Sequence, residues 1–523
     1  MEHPYARAGR STTRAARGRA AAAGIVAAAI ALTGCAGGGG NAAATTDTLT
    51  IAIQAAPTSL ALPTNCTNAV FALAYEPLIR VDADGGYEPG IAESWEYSDN
   101  NTVFTMDIRD DVKFADGTDL TAQSVVDTLT YYRDNPGLNQ GYLEPFTVIE
   151  AGDDNTVRIE YDEPFIGMET LLASDGECNN GLIISAAGLA DPDKMATDMF
   201  GAGPYVLDTA DTVFDDHYTY TKNPNYYEPD RQHWEKVVVR VIADPNTAYA
   251  AVQSGQVQVS MVPDTGLIEG AEAKGIDVSQ GQVQGTAVML FDRAGEQVPA
   301  LADERVRMAL NLAVDRQSIA DALGEGNEPI AQFAVNGFLG SDPSADYDYD
   351  PEQAKQLLAD AGYADGFELP IITPAVGGAD TATQAVIAQW AEIGVTAVAN
   401  PTAAGDFFGA IGNKQYPATI VPYGMLGDVY FDAVRLYKQP YSNVWNPFRS
   451  TDPDLDAAYS SLATATTPEE VETRSIEFNT VMTEKSWFVP ITQAYAPVFS
   501  KGIDIGTSTA LGAFDIVSWA PSK

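Results

Sequence analysis

Arg109-Asp110-Asp111-Val112-Lys113-Phe114-Ala115-Asp116-Gly117-Thr118, followed by Leu120-Thr121-Ala122-Gln123-Ser124-Val125-Val126, is the stretch from which the fold can be read. Thr102 to Arg109 reads as the strand that enters it, and Thr121 is placed to cap the helix that leaves it. Working outward toward the N-terminus, Pro89-Gly90-Ile91-Ala92-Glu93-Ser94-Trp95-Glu96 precedes the strand. Before that, Tyr75-Glu76-Pro77-Leu78-Ile79-Arg80 leads into the hairpin signal Asp84-Gly85-Gly86. Taken singly, each residue is a turn or a core position; their order carries the information.

Outward in both directions the pattern is that of alternating strands and helices. Leu49, Ile51 and Ile53 alternate with polar or small residues and open the fold with a strand. Downstream, Gly201-Ala202-Gly203-Pro204-Tyr205-Val206-Leu207 reads as a strand entry, and Val237 to Ala243 as a buried strand. Gly201 and Gly203 lack a third glycine at the dinucleotide spacing, so a nucleotide-binding reading fails. Asp244-Pro245-Asn246-Thr247 starts a helix with Gly255 as its stop. Thr286 to Asp292 is a strand, and Val306, Leu310, Ala313 and Ile319 share one face of a helix expected over 303–324. Asp350-Pro351-Glu352-Gln353 to Gly362 carries a full set of helix start and stop signals, repeated in Thr467-Pro468-Glu469-Glu470. Trp487 to Phe499 is a long strand, and Phe514 to Trp519 a terminal one.

The ordered motifs from Tyr75 to Val126, with Gly201–Leu207 and the 286–292 strand, resemble the family 5 extracellular solute-binding proteins, the oligopeptide, dipeptide and nickel class of ABC-importer receptors. The resemblance covers roughly the whole chain after the N-terminal segment. It implies an α/β, two-lobed periplasmic-binding-protein-like fold of the large type, with an extra inserted domain and two hinge strands. Lobe 1 would take residues 48–72, 199–286 and 491–523, the inserted domain 73–198, and lobe 2 residues 287–490. The crossing strand, which in the family usually ends in Asn, ends here in Asp292. Ala313-Val314-Asp315-Arg316 is a family-like pattern expected to serve helix packing and ion pairing.

Ahead of the fold, Arg7, Arg10, Arg14, Arg17 and Arg19 precede an apolar run from Ala20 to Thr33 that is too short to span a bilayer. It ends in Leu32-Thr33-Gly34-Cys35, which resembles a bacterial lipobox. Residues 1–34 are then a lipoprotein signal peptide, Cys35 the acylated residue, and 35–47 a Gly/Ala/Thr-rich tether. The chain would sit on the outer face of the cytoplasmic membrane. Cys66 and Cys178, both in polar, turn-rich sequence, are expected to pair in that oxidising setting; the alternative is two separate thiols. The formal charge of −43 excludes nucleic acid and adsorption to anionic lipid. An acidic, solvated surface explains it more simply than a cleft for cations. About 490 residues after the signal exceed one core and call for several domains.

No catalytic arrangement stands out. The histidines are His3, His217 and His233, and no nucleophile elbow, zinc motif, Cys-x-x-Cys or phosphate loop occurs. No metal and no cofactor are expected, and an extracellular hydrolase lacks its nucleophile, base or metal. A buried ligand α-ammonium needs a carboxylate partner. The family resemblance places that partner at Asp428, within Gly424-Met425-Leu426-Gly427-Asp428-Val429-Tyr430. The sequence departs from the family there, with Met425 where Trp is usual and Phe431-Asp432 where Asp-Pro follows. Tyr423, Met425, Tyr430, Tyr441, Trp445 and Asn446 are the candidate walls, with Asn65 and Tyr495 as outliers, and Arg435 and Arg449 are candidates for a ligand carboxylate. On sequence grounds each of these is equally a turn or core position. The expectation is a monomeric receptor that closes on a short peptide and hands it to a permease and its ATPase. The alternatives are a non-peptide solute (oligosaccharide, opine-like conjugate or metal chelate) and an adhesion or sensor protein on the same fold.

Overall fold

The strand opening the chain, β1 (Thr48–Ile53), buries Leu49, Ile51 and Ile53 as its alternation predicts. The computed structural model describes residues 47–64, 68–82, 86–135, 140–173, 179–342, 344–345, 349–374, 379–424, 428–438, 445–506 and 515–522. After β1 the main sheet takes β2 (Tyr205–Leu207), β3 (His217–Lys222), β4 (Lys236–Val241), β5 (Val259–Ser260), β6 (Asp277–Leu290), β7 (Phe367–Pro374), β8 (Val395–Thr402), β9 (Ala418–Gly424) and β10 (Phe488–Ser500). Their order across the sheet is β8-β7-β9-β6-β10-β5-β1-β4-β3-β2. The long antiparallel pair β6–β10 therefore joins two groups of strands. The parallel pairs β1–β4, β1–β5, β7–β8 and β7–β9 lie on either side of it.

The expected buried strand at 237–243 ends at Val241 and alternates instead. Val237 and Val239 are buried while Val238 and Arg240 are only half-buried, so one face meets the core. The strand expected over 102–109 forms as Val103–Ile108, in a separate sheet ordered Ala92–Ser98, Val103–Ile108, Thr156–Tyr161, Phe146–Ala151. The helix Ala122–Asp134 covers it, started by the Thr121 N–H donating to Ser124 Oγ at 3.3 Å. The chain reverses between Ile79–Val81 and Tyr87–Pro89, which pair antiparallel.

Asp-Pro pairs begin several helices. The side chains of Asp244, Asp350 and Asp452 each accept a backbone N–H from the first turn, and Pro stands at the next position, where no donor is needed. Part of the acidic composition is thus helix capping. The single helix expected over 303–324 is two, Glu304–Leu312 and Arg316–Leu323, because the Asp315 carboxylate caps the second through the Ser318 N–H at 3.0 Å. Arg316 is buried and donates to the carbonyls of Ile330, Pro490, Asn311 and Val314, tying this break to β10. Asp292, past the end of β6, accepts the N–H groups of Glu296, Gln297 and Val298, each at 2.7 Å, a demand that a carboxylate meets better than an amide. The terminal strand expected at 514–519 is a 3-10 turn, Ile516–Ser518, capped by Asp515. Trp519 is fully buried and its carbonyl accepts from Trp234 Nε1 at 2.7 Å.

Gly201 and Gly203 are glycines because the chain passes against Ala74 there. A Cβ would lie 2.2 Å from the Ala74 carbonyl oxygen at Gly201, and 2.4 Å from its carbonyl carbon at Gly203. These obstacles are backbone and cannot rotate away. Gly203→Ala is expected to cost at least about 1–3 kcal/mol of stability, read as a lower urea midpoint at unchanged slope.

Three buried apolar clusters result. One packs helices 304–312, 351–360 and 379–392 on β6, β7 and β9, and includes the fully buried Trp390. A small one gathers Ala52, Tyr249, Val252 and Phe499. The largest runs without interruption from β1 through Phe165 and Met168 to Tyr430, Phe431 and Phe478.

Candidate functional site

β6 and β10 pair from Asp277↔Ser500 to Met289↔Phe488, and the register shifts twice, between Gln280 and Val283 and between Thr286 and Ala287. Pro497 and Pro490 of β10 lie at the two shifts; proline cannot donate to a ladder, so pairing breaks there. Irregularities in the only strands that link both halves of the sheet, among the described residues, are where bending meets least resistance. Tyr495, half-buried, faces Val283 beside the first shift. Tyr423 on β9 is buried, its ring against the strand at Gly285.

Asp428 caps the helix Val429–Leu436. Its Oδ1 accepts the Tyr430 N–H at 2.9 Å, and its backbone bridges to Leu339. Its Oδ2 accepts a bond of 2.9 Å from Thr170 Oγ1, which lies 258 residues earlier in the helix Met168–Leu172. Thr170 is also bonded to the Tyr87 hydroxyl at 2.8 Å. The next carboxylate is Glu169, which accepts from Trp95 Nε1 at 3.2 Å and from the Tyr97 hydroxyl. Burial pushes the Asp428 carboxyl above its ordinary value, against the pull of the Thr170, Tyr430 and Phe431 donors. Burial also pushes Glu169 up, against Tyr97 and Trp95, and the charge of Asp428 adds to the rise.

This contact belongs to a longer seam between residues 101–172 and 428–465. Tyr142 stacks on Phe431 at 5.7 Å, and Phe165 meets Tyr430 edge-on at 5.6 Å. Asn101 Nδ2 donates to the carbonyls of Ala463 and Ala465, and Lys438 pairs with Glu163 at 3.0 Å. Gly167 lies so close that a Cβ would sit 2.9 Å from the Phe431 ring.

The other wall candidates separate. Tyr430 is fully buried, stacked on Tyr459 and bonded to its hydroxyl at 3.0 Å, so it is core rather than lining. Asn446 is likewise buried. Its amide donates to the carbonyls of Tyr437 and Ser450 and accepts from the Ser450 N–H and from Arg293, which makes it a loop latch. Trp445 is half-buried, edge-on to the exposed Phe408. Arg435 is held by Asp432 at 2.8 Å within its own helix, and Arg449 is exposed. Met425, Tyr441, Asn65, Cys35, Cys66 and Cys178 lie outside the described residues. Thr170, Glu169 and Gly167 carry no motif in the sequence; only tertiary folding brings Thr170 to Asp428 and Gly167 to Phe431 and Tyr430. His217 is bonded to Asp216 at 2.6 Å and to the Asp211 carbonyl. Among the described residues, no three His, Cys, Asp or Glu side chains gather as a metal would require. No helix among them is long and apolar enough to cross a membrane.

Comparison with known proteins gives the class. The model for "Bacterial extracellular solute-binding proteins, family 5 Middle" matches residues 86–448, and the chain belongs to that family. Membership places it among solute-binding proteins rather than enzymes. It is similar to heme-binding protein A of Haemophilus influenzae, 29% identical over 349 residues, with 59% of this chain and 60% of that protein matched. It is also similar to the glutathione-binding protein GsiB of Escherichia coli K12, 28% identical over 300 residues, with 56% of each chain matched. The chain thus matches under two thirds of the length of these relatives. Among solved structures, AgaA of A. tumefacien R10 in complex with agropinic acid superposes with a TM-score of 0.77 at 23% identity, covering 91% of this chain and 99% of that one. A dipeptide-binding protein of Pseudoalteromonas sp. SM9913 in complex with Met-Leu gives 0.76 at 17%, covering 91% and 100%. The fold is therefore the two-lobed α/β fold of periplasmic binding proteins.

Proposed function

We propose that this chain is the lipid-anchored, extracytoplasmic receptor of an ABC importer, that it closes on short peptides, and that Asp428 receives the ligand's α-ammonium. The observation that carries the reading is the place of Asp428. It is a largely buried carboxylate on a seam between residues far apart in sequence, bonded to Thr170 and a helix N-terminus. Each carboxylate oxygen has a second lone pair to offer an ammonium. Closure would bury the ligand between lobe 1 (48–72, 199–286, 491–523, with 73–198 inserted) and lobe 2 (287–490), bending at β6 and β10. Ligand then favours the closed population by its differential affinity. A permease and its ATPase are the partners, Cys35 the anchor site, Cys66–Cys178 the disulfide, and the receptor a monomer. Mass spectrometry of solute co-purified with the protein tests the ligand class; non-reducing peptide mapping tests the disulfide. Compaction in small-angle scattering on adding peptides tests the closure, and its absence across peptide libraries rejects it.

A second reading, a non-peptide solute, is favoured by two similar proteins whose names or complexes are of heme and of agropinic acid. The two readings part on pH. The folded-state pKa of Asp428 and of Glu169 is raised by burial, so each holds its proton to a higher pH than it would in water. Raising the pH through that window removes stability from the ligand-free closed seam, because ionisation there meets burial and like charge. An ammonium ligand reverses this: its affinity is expected to rise with pH through the same window, above 3.8, as the anions form. Calorimetric titration across that range checks the sign, and a neutral solute gives no such rise.

A further inference from the structure

Two exposed apolar side chains meet at Asp428, one from each side of the seam. Seven large hydrophobic side chains are exposed among the described residues, and Tyr87 (39%) and Leu339 (40%) are two of them. One such side chain alone is ordinary on a protein surface; two that converge on the same half-buried carboxylate from distant segments are not. Tyr87 opens the strand Tyr87–Pro89. Its hydroxyl lies 2.8 Å from Thr170 Oγ1, and Thr170 Oγ1 donates to Asp428 Oδ2 at 2.9 Å. Thr170 has one proton to give, so the Tyr87 hydroxyl is the donor in the first bond. The Tyr87 ring is thereby held two hydrogen bonds from the carboxylate. Leu339 arrives from the other side, its backbone paired with that of Asp428 in a parallel bridge. Segments paired in this way lie about 4.8 Å apart, and bridge partners project their side chains to the same face. Leu339 therefore stands beside the Asp428 side chain.

The loop that carries Leu339 is braced at both ends. The Asn336 N–H donates to Gln493 Oε1 at 2.9 Å, and Gln493 faces Gly285 between the two register shifts of β6 and β10. Gln332 Nε2 donates to Asn336 Oδ1 at 2.9 Å, and Gln332 Oε1 accepts from the Asp342 N–H at 2.8 Å and from Asn479 Nδ2 at 2.6 Å. Gly340, at a φ of 83°, lies against the helix that Asp428 caps; a Cβ there would be 2.6 Å from Val429 Cγ2. The fold thus fixes an apolar side chain in water beside a carboxylate.

We propose that Tyr87 and Leu339 are the two jaws of an apolar clamp at the mouth of the Asp428 site, and that they select solutes with an apolar group next to the ammonium, which in a peptide is an apolar first side chain. This rests on the reading of Asp428 as the ammonium partner and adds to it the specificity of the position beside it. An α-ammonium bonded to Asp428 carries its substituent one carbon away, so that group lands among the side chains flanking the carboxylate. An apolar substituent removes both jaws from water, whereas a polar one loses its own water with no partner in return. One jaw comes from the 73–198 segment and the other from 287–490, so the clamp is whole only while the seam is closed.

The test uses the complete chain and three tripeptides with free N-termini, Leu-Ala-Ala, Phe-Ala-Ala and Ser-Ala-Ala, titrated by calorimetry. The wild type is expected to bind the first two more tightly than the third. Leu339→Ala should weaken the first two by about tenfold, the scale of a lost apolar contact in a pocket, and leave Ser-Ala-Ala unchanged. Tyr87→Ala should do the same. Tyr87→Phe keeps the ring and drops only the bond to Thr170, so the preference should persist. Both side chains are exposed, and the urea midpoints of these variants should hold. If L339A and Y87A both keep the full preference while Asp428→Asn weakens all three peptides, the clamp is overturned and the reading of Asp428 stands. If L339A and Y87A weaken all three alike, the two residues are structural and the clamp falls. A wild type without preference among the three also overturns it. If D428N binds as the wild type does, or no tripeptide binds the wild type, the ammonium reading itself is wrong and this inference falls with it.

Discussion

Asp428→Ala is expected to weaken binding of a free-amine peptide by tenfold or more, and separately to lower the unfolding midpoint through the lost helix cap. A buried ammonium left without its carboxylate loses the bond and keeps the cost of desolvation, and truncating one partner of such a pair costs about 2–5 kcal/mol. Asp428 also caps its helix through the Tyr430 N–H, and loss of a cap costs about 0.5–2 kcal/mol of stability. Asp428→Asn separates the two effects, since an amide oxygen still caps but carries no charge. The cap contribution should return in N while the affinity stays lost. Calorimetry on one ligand, with thermal melts of the free proteins, reads both quantities. Equal affinities for wild type and both variants would move the functional reading to the non-peptide solute.

How much of this was legible before the fold depends on the range of the interactions. Signals carried by neighbouring residues were readable. Asp350-Pro351 and Thr467-Pro468 each specify a helix start because the capping oxygen and the orphan N–H lie three residues apart. Of the crossing strands, Trp487–Phe499 was readable nearly to its ends, but only 286–292 of the other was, because the polar first half of β6, from Asp277, carries no apolar signal; the proline-linked register shifts were not visible either. Gly203 could be read as special, but its reason, the Ala74 backbone 129 positions away, could not. Aromatic residues near Asp428 were ambiguous in principle. Tyr430 and Asn446 have the composition of a pocket wall, yet burial against Tyr459 and the carbonyls of Tyr437 and Ser450 makes them core. Thr170 and Glu169 were invisible because nothing local marks them. Their roles come from a contact closed across 258 residues.

That seam yields the sharpest test of closure. Gly167→Val is expected to reduce ligand affinity by about 5- to 150-fold and to suppress ligand-induced compaction in scattering. The backbone of Gly167 has a negative φ of −106°, which any residue tolerates, so the substitution acts by volume and not by backbone strain. Its Cβ would lie 2.9 Å from Phe431 Cδ2 and 3.2 Å from Tyr430 Cε1, and both rings are fully buried. Overpacking of this kind costs about 1–3 kcal/mol. When that cost falls only on the closed state, it passes directly into affinity, tenfold for each 1.4 kcal/mol. If instead 163–172 stays docked on 428–438 in every state, the same cost falls on folding. Then the urea midpoint drops, affinity holds and compaction persists. The largest apolar cluster crosses this seam, so the two outcomes differ by which surfaces slide when the receptor shuts. In the first, the inserted segment parts from the helix Val429–Leu436 at each opening. In the second, it travels with that helix, and the bending at β6 and β10 carries both together.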